Sequence, residues 1–420
     1  MSENKNIQIL IETMTRCAGN CSGCALSSSE RMETDFDMNN FLMKTKLVSD
    51  QLVKLQSDSV ESVTLFLGQG DHFLMKHSEI EPFVKACSEM VPLSLKQKTV
   101  VFITASAIGK HEQIKEKMDS FYKYSLKYNI PFFIQVVFDP KKMKINQKFK
   151  DIYINNILYF KEKCGMTEVT VNMGEDLLNH ITPQEFHNWI KEYQFKHIEM
   201  NWVTNQFTYS MWKSIYNDMF SWLKNWLDIY KNDPIYEINF LPFLSRHLKY
   251  KNVNIMKMTP HIEESLENNL YIDYNGNFFS SQMGLISNLT PFGERLSHNV
   301  SFFNNKTSSL SKDKITNKSR KIIRELIRKE NCSDCEYKSV CSISAITQNF
   351  NYKEDNHENN ECPWNVKSFL SYLENEILNH KKYNNRDITN TIFNKNPVQH
   401  IEMKKENNET YTYFENLIKL

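Results

Sequence analysis

The sequence predicts an α/β fold of six strand–helix units, followed by a smaller region organised around cysteines. Three observations carry this. First, apolar runs at residues 7–13, 62–67, 99–104, 132–138, 168–172 and 197–203 alternate with polar-faced segments of helical period, such as 37–56, 80–90 and 111–128. Near-continuous apolar strands separated by helices belong to a parallel sheet covered on its outer face. Second, glycine is scarce, only 10 of 420 residues, and it collects where strands end: Gly19 with Gly23, Gly68 with Gly70, then Gly109 and Gly174. Backbone that turns tightly or approaches a ligand closely needs glycine. Third, most of the cysteines fall into two groups, one directly after the first strand and one late in the chain. Six units of this kind build a partial (β/α)6 barrel, a complete barrel or a doubly wound sheet. In such folds ligands gather at the carboxyl ends of the strands.

Composition removes several classes of function. Net charge is +1, from 51 basic and 50 acidic residues, so no electrostatic footprint for nucleic acid is present. A length of 420 residues with 40% hydrophobic content supports one large core or two to three domains. No uninterrupted apolar segment approaches a membrane span, and the opening residues MSENKN are not a signal peptide. The sequence therefore reads as cytoplasmic, with no membrane partner. In that compartment its nine cysteines stay reduced and act as ligands rather than disulfides.

The first strand leads into Cys17, Cys21 and Cys24, a C-x3-C-x2-C spacing. Cubic iron–sulfur clusters are normally held by four thiolates. Three on one short loop leave the fourth iron open to a small molecule. A zinc knuckle is the competing reading, although zinc thiolates usually come as a pair joined to a second pair. The second strand ends in Gly68-Gln69-Gly70-Asp71-His72, where Asp71 and His72 alternatively cap the element that follows. The third ends at Thr104 to Ser106, the fourth at Asp139-Pro140 and the fifth at Asn172. Each of these is either a ligand contact or a solvated loop residue.

Past residue 205 the character changes. Residues 208–230 carry Trp212, Trp222 and Trp226 at helical spacing, which reads as core in preference to a cavity wall. Residues 270–282 read as a hairpin turning at Asn275-Gly276, a two-residue loop signal. Cys332, Cys335, Cys341 and Cys362 then give C-x2-C-x5-C and a fourth cysteine after twenty residues. Four thiolates complete either a cubic cluster with no open iron or a zinc site. Cys87 and Cys164 fall in predicted helices and read as buried thiols. The tail is expected to hold a helix at 366–380, a linker at 381–390 and a short amphipathic helix at 410–420.

Taken together, the two cysteine groups resemble the radical S-adenosylmethionine (SAM) superfamily, and the later group resembles its C-terminal SPASM domain, carried by enzymes that mature peptides and proteins. The resemblance implies a partial (β/α)6 TIM-like barrel over residues 1–235, a small iron–sulfur, SPASM-like domain over 236–365, and a helical extension over 366–420. It implies a [4Fe-4S] cluster on Cys17, Cys21 and Cys24 that binds SAM. Gly68, Gln69, Gly70 and Asp71 occupy the place of a glycine-rich motif, often Gly-Gly-Glu, that receives the SAM amino group, with Gln69 departing from the second glycine. Thr104 survives from a Thr-Asn-Gly element, and Asp139 from a Ser-Leu-Asp-Gly element in which Val137 stands where a ribose-binding serine is common. Asn172 matches a contact to the SAM ribose or carboxylate. Gly23 stands where an aromatic residue usually lies beside the adenine.

A full SPASM domain carries seven cysteines and two auxiliary clusters. Here Ser280-Ser281 replace the hairpin cysteine and Ala345 stands four residues after Cys341. One auxiliary [4Fe-4S] cluster is expected, on Cys332, Cys335, Cys341 and Cys362. The implied activity is reductive cleavage of SAM to a 5′-deoxyadenosyl radical, which abstracts hydrogen from a peptide or protein substrate. A flavodoxin- or ferredoxin-type electron donor is implied as a partner. A small-metabolite substrate is the alternative, and a non-enzymatic, zinc-braced binding protein the distant one. The first strand begins so early that no N-terminal peptide-binding domain is expected.

Overall fold

Alternation along the first strand sets the layers of the molecule. In the computed structural model, β1 (Lys5–Glu12) buries Ile7, Ile9 and Ile11 completely on one face, while Gln8 is exposed and Leu10 and Glu12 are half-buried on the other. The structure describes residues 5–19, 21, 33–164, 167–195, 197–202, 209–233, 268–279, 295–296, 335–337, 366–378, 401–404 and 410–414. Part of this alternation persists in β2 (Val60–Gly68), while β3 (Thr99–Ala105) and β4 (Phe132–Val137) are buried along most of their length. Val63, Leu65, Leu67, Val101, Ile103, Ile134 and Val136 are sealed on the face that carries the Ile residues of β1. On the opposite face, register aligns Leu10, Phe66, Phe102 and Phe133 in one row. Their rings stack, with centroids 4.9 Å apart for Phe66–Phe102 and 5.4 Å for Phe102–Phe133.

β5 (Thr167–Met173) and β6 (His197–Trp202) complete six parallel strands in the order β6-β5-β4-β3-β2-β1. Each strand lies beside its predecessor, so the sheet winds in one direction. A doubly wound sheet reverses order at a switch point, and this one does not. Nor does it close on itself: the second edge of β1 is taken, over Gln8–Ile11, by β7 (Asn269–Ile272). This is the α/β partial barrel expected from the sequence.

The connecting helices follow local signals. Asp37 caps α1 (Met38–Leu52) by accepting from the Asn39 and Asn40 N–H groups. α2 (His77–Glu89) begins three residues before the expected 80, because its first turn is polar and shows no apolar period; Glu79 reaches back to the Lys76 N–H at 2.8 Å. α3 (His111–Tyr128) runs over the expected range and stops at Asn129, in left-handed conformation. α4 (Gln147–Cys164), α5 (Glu175–His180) and α6 (Pro183–Tyr193) follow, the last opened by a reciprocal Thr182–Glu185 cap. Along α7 (Tyr209–Asn232) the residues Met219, Trp222, Leu223, Trp226 and Leu227 are buried, with Phe186 packed between the two tryptophans. The aromatic stripe is core there, as read, while the side chain of Trp212 lies outside the described residues. Cys87 is fully buried in α2, and the Cys164 side chain is outside the described set.

Two expectations need correction. The hairpin of β7 and β8 (Phe278–Phe279) does not turn on a two-residue Asn275-Gly276 loop. The Asp273 N–H donates to the Asn277 carbonyl at 3.0 Å and the Gly276 N–H to the Asp273 carbonyl at 3.0 Å. Tyr274, Asn275 and Gly276 thus form a three-residue loop, with Gly276 at φ +81° in the left-handed position that such loops need. β9 (Arg295–Leu296) adds antiparallel to β8. Second, residues 410–414 are a strand and not part of a helix: Thr410–Phe414 pairs antiparallel with Ile401–Lys404. The run Thr-Tyr-Thr-Tyr-Phe consists of β-branched and aromatic residues that favour strand.

In the C-terminal region, α8 (Val366–Tyr372) continues as a π-helical turn over Leu373–Leu378. It is tied to α7 by Tyr372 donating to the Asp228 carboxylate and by a Lys231–Glu376 ion pair at 3.1 Å. Residues 280, 281, 345 and 381–390 lie outside the described residues. Among the described residues, no helix is long and apolar enough to cross a membrane.

Candidate active site

Beyond Glu12 the chain crosses the end of β2 and is stitched to it by backbone. Thr13 N–H donates to the Gly68 carbonyl, Gly70 N–H to the Met14 carbonyl and Asp71 N–H to the Arg16 carbonyl, each at 2.9 Å. Gly70 permits this approach: a Cβ there would lie 2.5 Å from the Arg16 carbonyl oxygen and 2.9 Å from that of Met14. The segment entering the cysteine loop is therefore fixed by the glycine turn of the neighbouring strand.

The same turn is anchored from behind by β3. Thr104 donates its hydroxyl to the Gly70 carbonyl, and Ser106 donates to Asp71. Asp71 is fully buried; its other carboxylate oxygen accepts from the Phe73 N–H at 3.0 Å, capping the short turn His72–Leu74. Burial raises the Asp71 carboxyl above its ordinary range, against the lowering effect of these hydrogen bonds. His72 spans the junction, with Nε2 2.9 Å from the Thr13 hydroxyl and Nδ1 3.3 Å from the Thr104 carbonyl. A carbonyl only accepts, so Nδ1 carries the proton and Nε2 accepts from Thr13. Burial pushes the His72 pKa down to about 4, keeping the ring neutral. Gln69, at the tip of this turn, has a buried amide Nε2 with no hydrogen-bond partner.

On this platform the sulfurs of Cys17 and Cys21 converge. Both lie beside Gly19, at 3.4 Å and 3.2 Å from where its Cβ would stand, with Ser106 Cβ at 3.3 Å from the same point. Gly19 N–H donates to Cys17 Sγ at 3.3 Å. The ammonium of Lys142, buried in the turn after β4, donates to Cys21 Sγ at 3.0 Å and lies 3.6 Å from Asp139. Burial works against that charge, but Tyr153, Cys21 and Asp139 outweigh it and hold the Lys142 pKa above its ordinary value. Cys24 lies outside the described residues. Two thiols brought together, each receiving a donor on sulfur, fit thiolate ligands of an iron–sulfur cluster.

The structure thus brings Cys17, Cys21, Gly68, Gln69, Gly70, Asp71 and Thr104 together at one end of the sheet. Asn172 stands at the carboxyl end of β5, half-buried and in register with Asn201 of β6. Of the later cysteines, Cys335 lies half-buried in a turn whose Tyr337 is buried and donates to Glu374 at 2.7 Å. Cys332, Cys341 and Cys362 are outside the described residues. Lys142 went unread in the sequence; the one signal for it is a Pro140 turn at a strand end followed by two lysines.

No protein-family model and no curated protein sequence matches the chain. Solved structures do. Native anSMEcpe with bound AdoMet and Cp18Cys peptide superposes with a TM-score of 0.56 at 13% identity, covering 93% of this chain and 99% of that one. Native anSMEcpe with bound AdoMet gives 0.57 at 13% identity, covering 92% and 99%. The chain shares the α/β fold of that protein. The likeness is one of fold and runs along nearly the whole chain.

Proposed function

We propose that this protein is a radical SAM enzyme that modifies a peptide or protein. The observation that carries the reading is the convergence of Cys17 and Cys21 on the Gly70 platform, at the carboxyl end of β1. The fold supports it, being shared with a protein solved with AdoMet and a peptide bound. Cys17, Cys21 and Cys24 would hold a [4Fe-4S] cluster. When bound, that cluster and SAM supply a 5′-deoxyadenosyl radical able to take hydrogen from an unactivated carbon.

The chain's own residues orient and enclose. Gly68, Gln69 and Gly70 offer backbone groups and the unpartnered Gln69 amide to the amino-acid end of SAM. Asp71 and Thr104 hold that turn in place, Asp71 through Ser106 and the Phe73 N–H and Thr104 through the Gly70 carbonyl. Asn172 addresses the ribose or carboxylate. Residues 1–235 form the SAM-binding barrel, 236–365 a SPASM-like domain and 366–420 an extension. Cys332, Cys335, Cys341 and Cys362 hold one auxiliary [4Fe-4S] cluster. A flavodoxin or ferredoxin supplies electrons in the cytoplasm.

The test is anaerobic reconstitution with iron and sulfide, reduction in the presence of SAM, and quantification of 5′-deoxyadenosine with and without short peptides encoded beside the gene. Formation that rises with peptide and disappears in the Cys17→Ala, Cys21→Ala, Cys24→Ala triple variant is expected. Turnover stimulated only by a small metabolite would overturn the substrate class. Zinc in both cysteine groups, with SAM intact, would overturn the enzyme reading itself.

A further inference from the structure

Lys142 is built into the site by its own turn. β4 ends at Val137, whose carbonyl accepts from the buried Tyr153 hydroxyl at 2.6 Å. Asp139 then folds the chain back, its carboxylate accepting from the Lys141 N–H at 3.0 Å and its carbonyl from the Lys142 N–H at 3.1 Å. The Lys142 side chain consequently runs inward over the Tyr153 ring, with the residue only 4% exposed. At its end the ammonium meets two partners unequally. Cys21 Sγ is at 3.0 Å, in hydrogen-bond geometry, while Asp139 Oδ2 is at 3.6 Å and has no hydrogen bond of its own. Asp139 neutralises part of the charge from one side, and the ammonium faces the sulfur.

We propose that Lys142 is a positioning residue for the iron-bound thiolate of Cys21, and that its buried charge raises the reduction potential of the SAM-binding cluster. This rests on the reading of Cys17, Cys21 and Cys24 as cluster ligands. The physical reason is electrostatic. Reduction brings one electron from the donor onto the cluster without moving a bond, making the cluster more negative. A cation on a ligand sulfur favours that state, and burial leaves little water or salt to screen it. Hydrogen bonds to sulfur, net charge and exposure are the levers by which proteins set such potentials.

The experiment is an EPR-monitored redox titration of the reconstituted protein, following the reduced-cluster signal that SAM perturbs. Lys142→Met removes donor and charge at similar length and should shift the midpoint downward. Lys142→Arg keeps both and should stay near the wild type. A Lys142→Met midpoint equal to the wild type, with iron and sulfide content intact, overturns the proposal. If the methionine variant does not fold, Lys142→Gln is titrated instead, with the same expected shift and the same contrary result. Failure of the wild-type protein to show any SAM-responsive cluster is a separate outcome: it removes the ligand assignment, and the inference with it.

Discussion

At the scale of single residues, His72 ties the site together in its neutral form. In the unfolded chain its imidazole titrates near the ordinary 6.5; in the folded protein burial holds it at about 4. Between these values the unfolded state binds a proton that the folded state refuses, so stability is complete above pH 6.5 and falls as pH drops toward 4. The loss amounts to about 3 kcal/mol across that window. Asp71 works in the opposite direction, since its raised carboxyl takes up a proton more readily in the folded state. The comparison of wild type with His72→Gln, by urea denaturation at a series of pH values, isolates the histidine: the variant should have the flatter profile between pH 4 and 6.5. Equal slopes would contradict the neutral bridge. Gly70→Ala makes a sharper demand, because its Cβ would meet two carbonyl oxygens. It should cost about 2 kcal/mol and lower the iron bound per chain after reconstitution, read by thermal melting and metal analysis. The glycine turn and the cysteine spacing were legible in the sequence because each is a short local run of residues, although the turn's partners Met14, Arg16 and Thr104 lie far along the chain. Lys142 was not: it meets Cys21 across 121 residues, and no local pattern encodes that.

At the scale of elements, the hairpin tip shows how the later part of the chain is fastened to the barrel. Tyr274 N–H donates to the Glu12 carboxylate at 2.8 Å, and Asn40 donates to the Tyr274 carbonyl at 3.0 Å. Lys44, fully buried, donates to the Glu12 carbonyl and sits 4.6 Å from the Tyr274 ring centroid. Burial lowers the Lys44 pKa to about 8, against the raising influence of Glu12, Asp273 and Asp37. Gly276 closes this contact at positive φ, and a Cβ there would reach Met43 at 3.0 Å. Gly276→Val should therefore cost about 2 kcal/mol, measured by chemical denaturation; a stability equal to the wild type would mean that the loop is not held as described. Helix and strand positions in the barrel were readable from apolar period. The number of residues in this loop was not, because Asn-Gly fits two- and three-residue turns alike and only the Asp273–Asn277 pairing distinguishes them.

At the scale of the whole molecule, alternation of strands and helices led to six parallel strands, and their sequential order makes the sheet a partial barrel. What the sequence could not show is that β7, more than two hundred residues from β1, takes the edge where a complete barrel would close. Such a pairing depends on shape rather than on local composition. It joins the sheet that carries the cysteine loop to the region that leads toward the later cysteines. Cys17, Cys21 and Cys24 are proposed to hold a cluster with one iron left for SAM. EPR of the anaerobically reduced protein, recorded with and without SAM, tests it most directly. A [4Fe-4S]+ signal that changes on adding SAM, and is lost in the Cys17→Ala, Cys21→Ala, Cys24→Ala variant, is the predicted result. A signal indifferent to SAM, or one that survives the triple substitution unchanged, would contradict it.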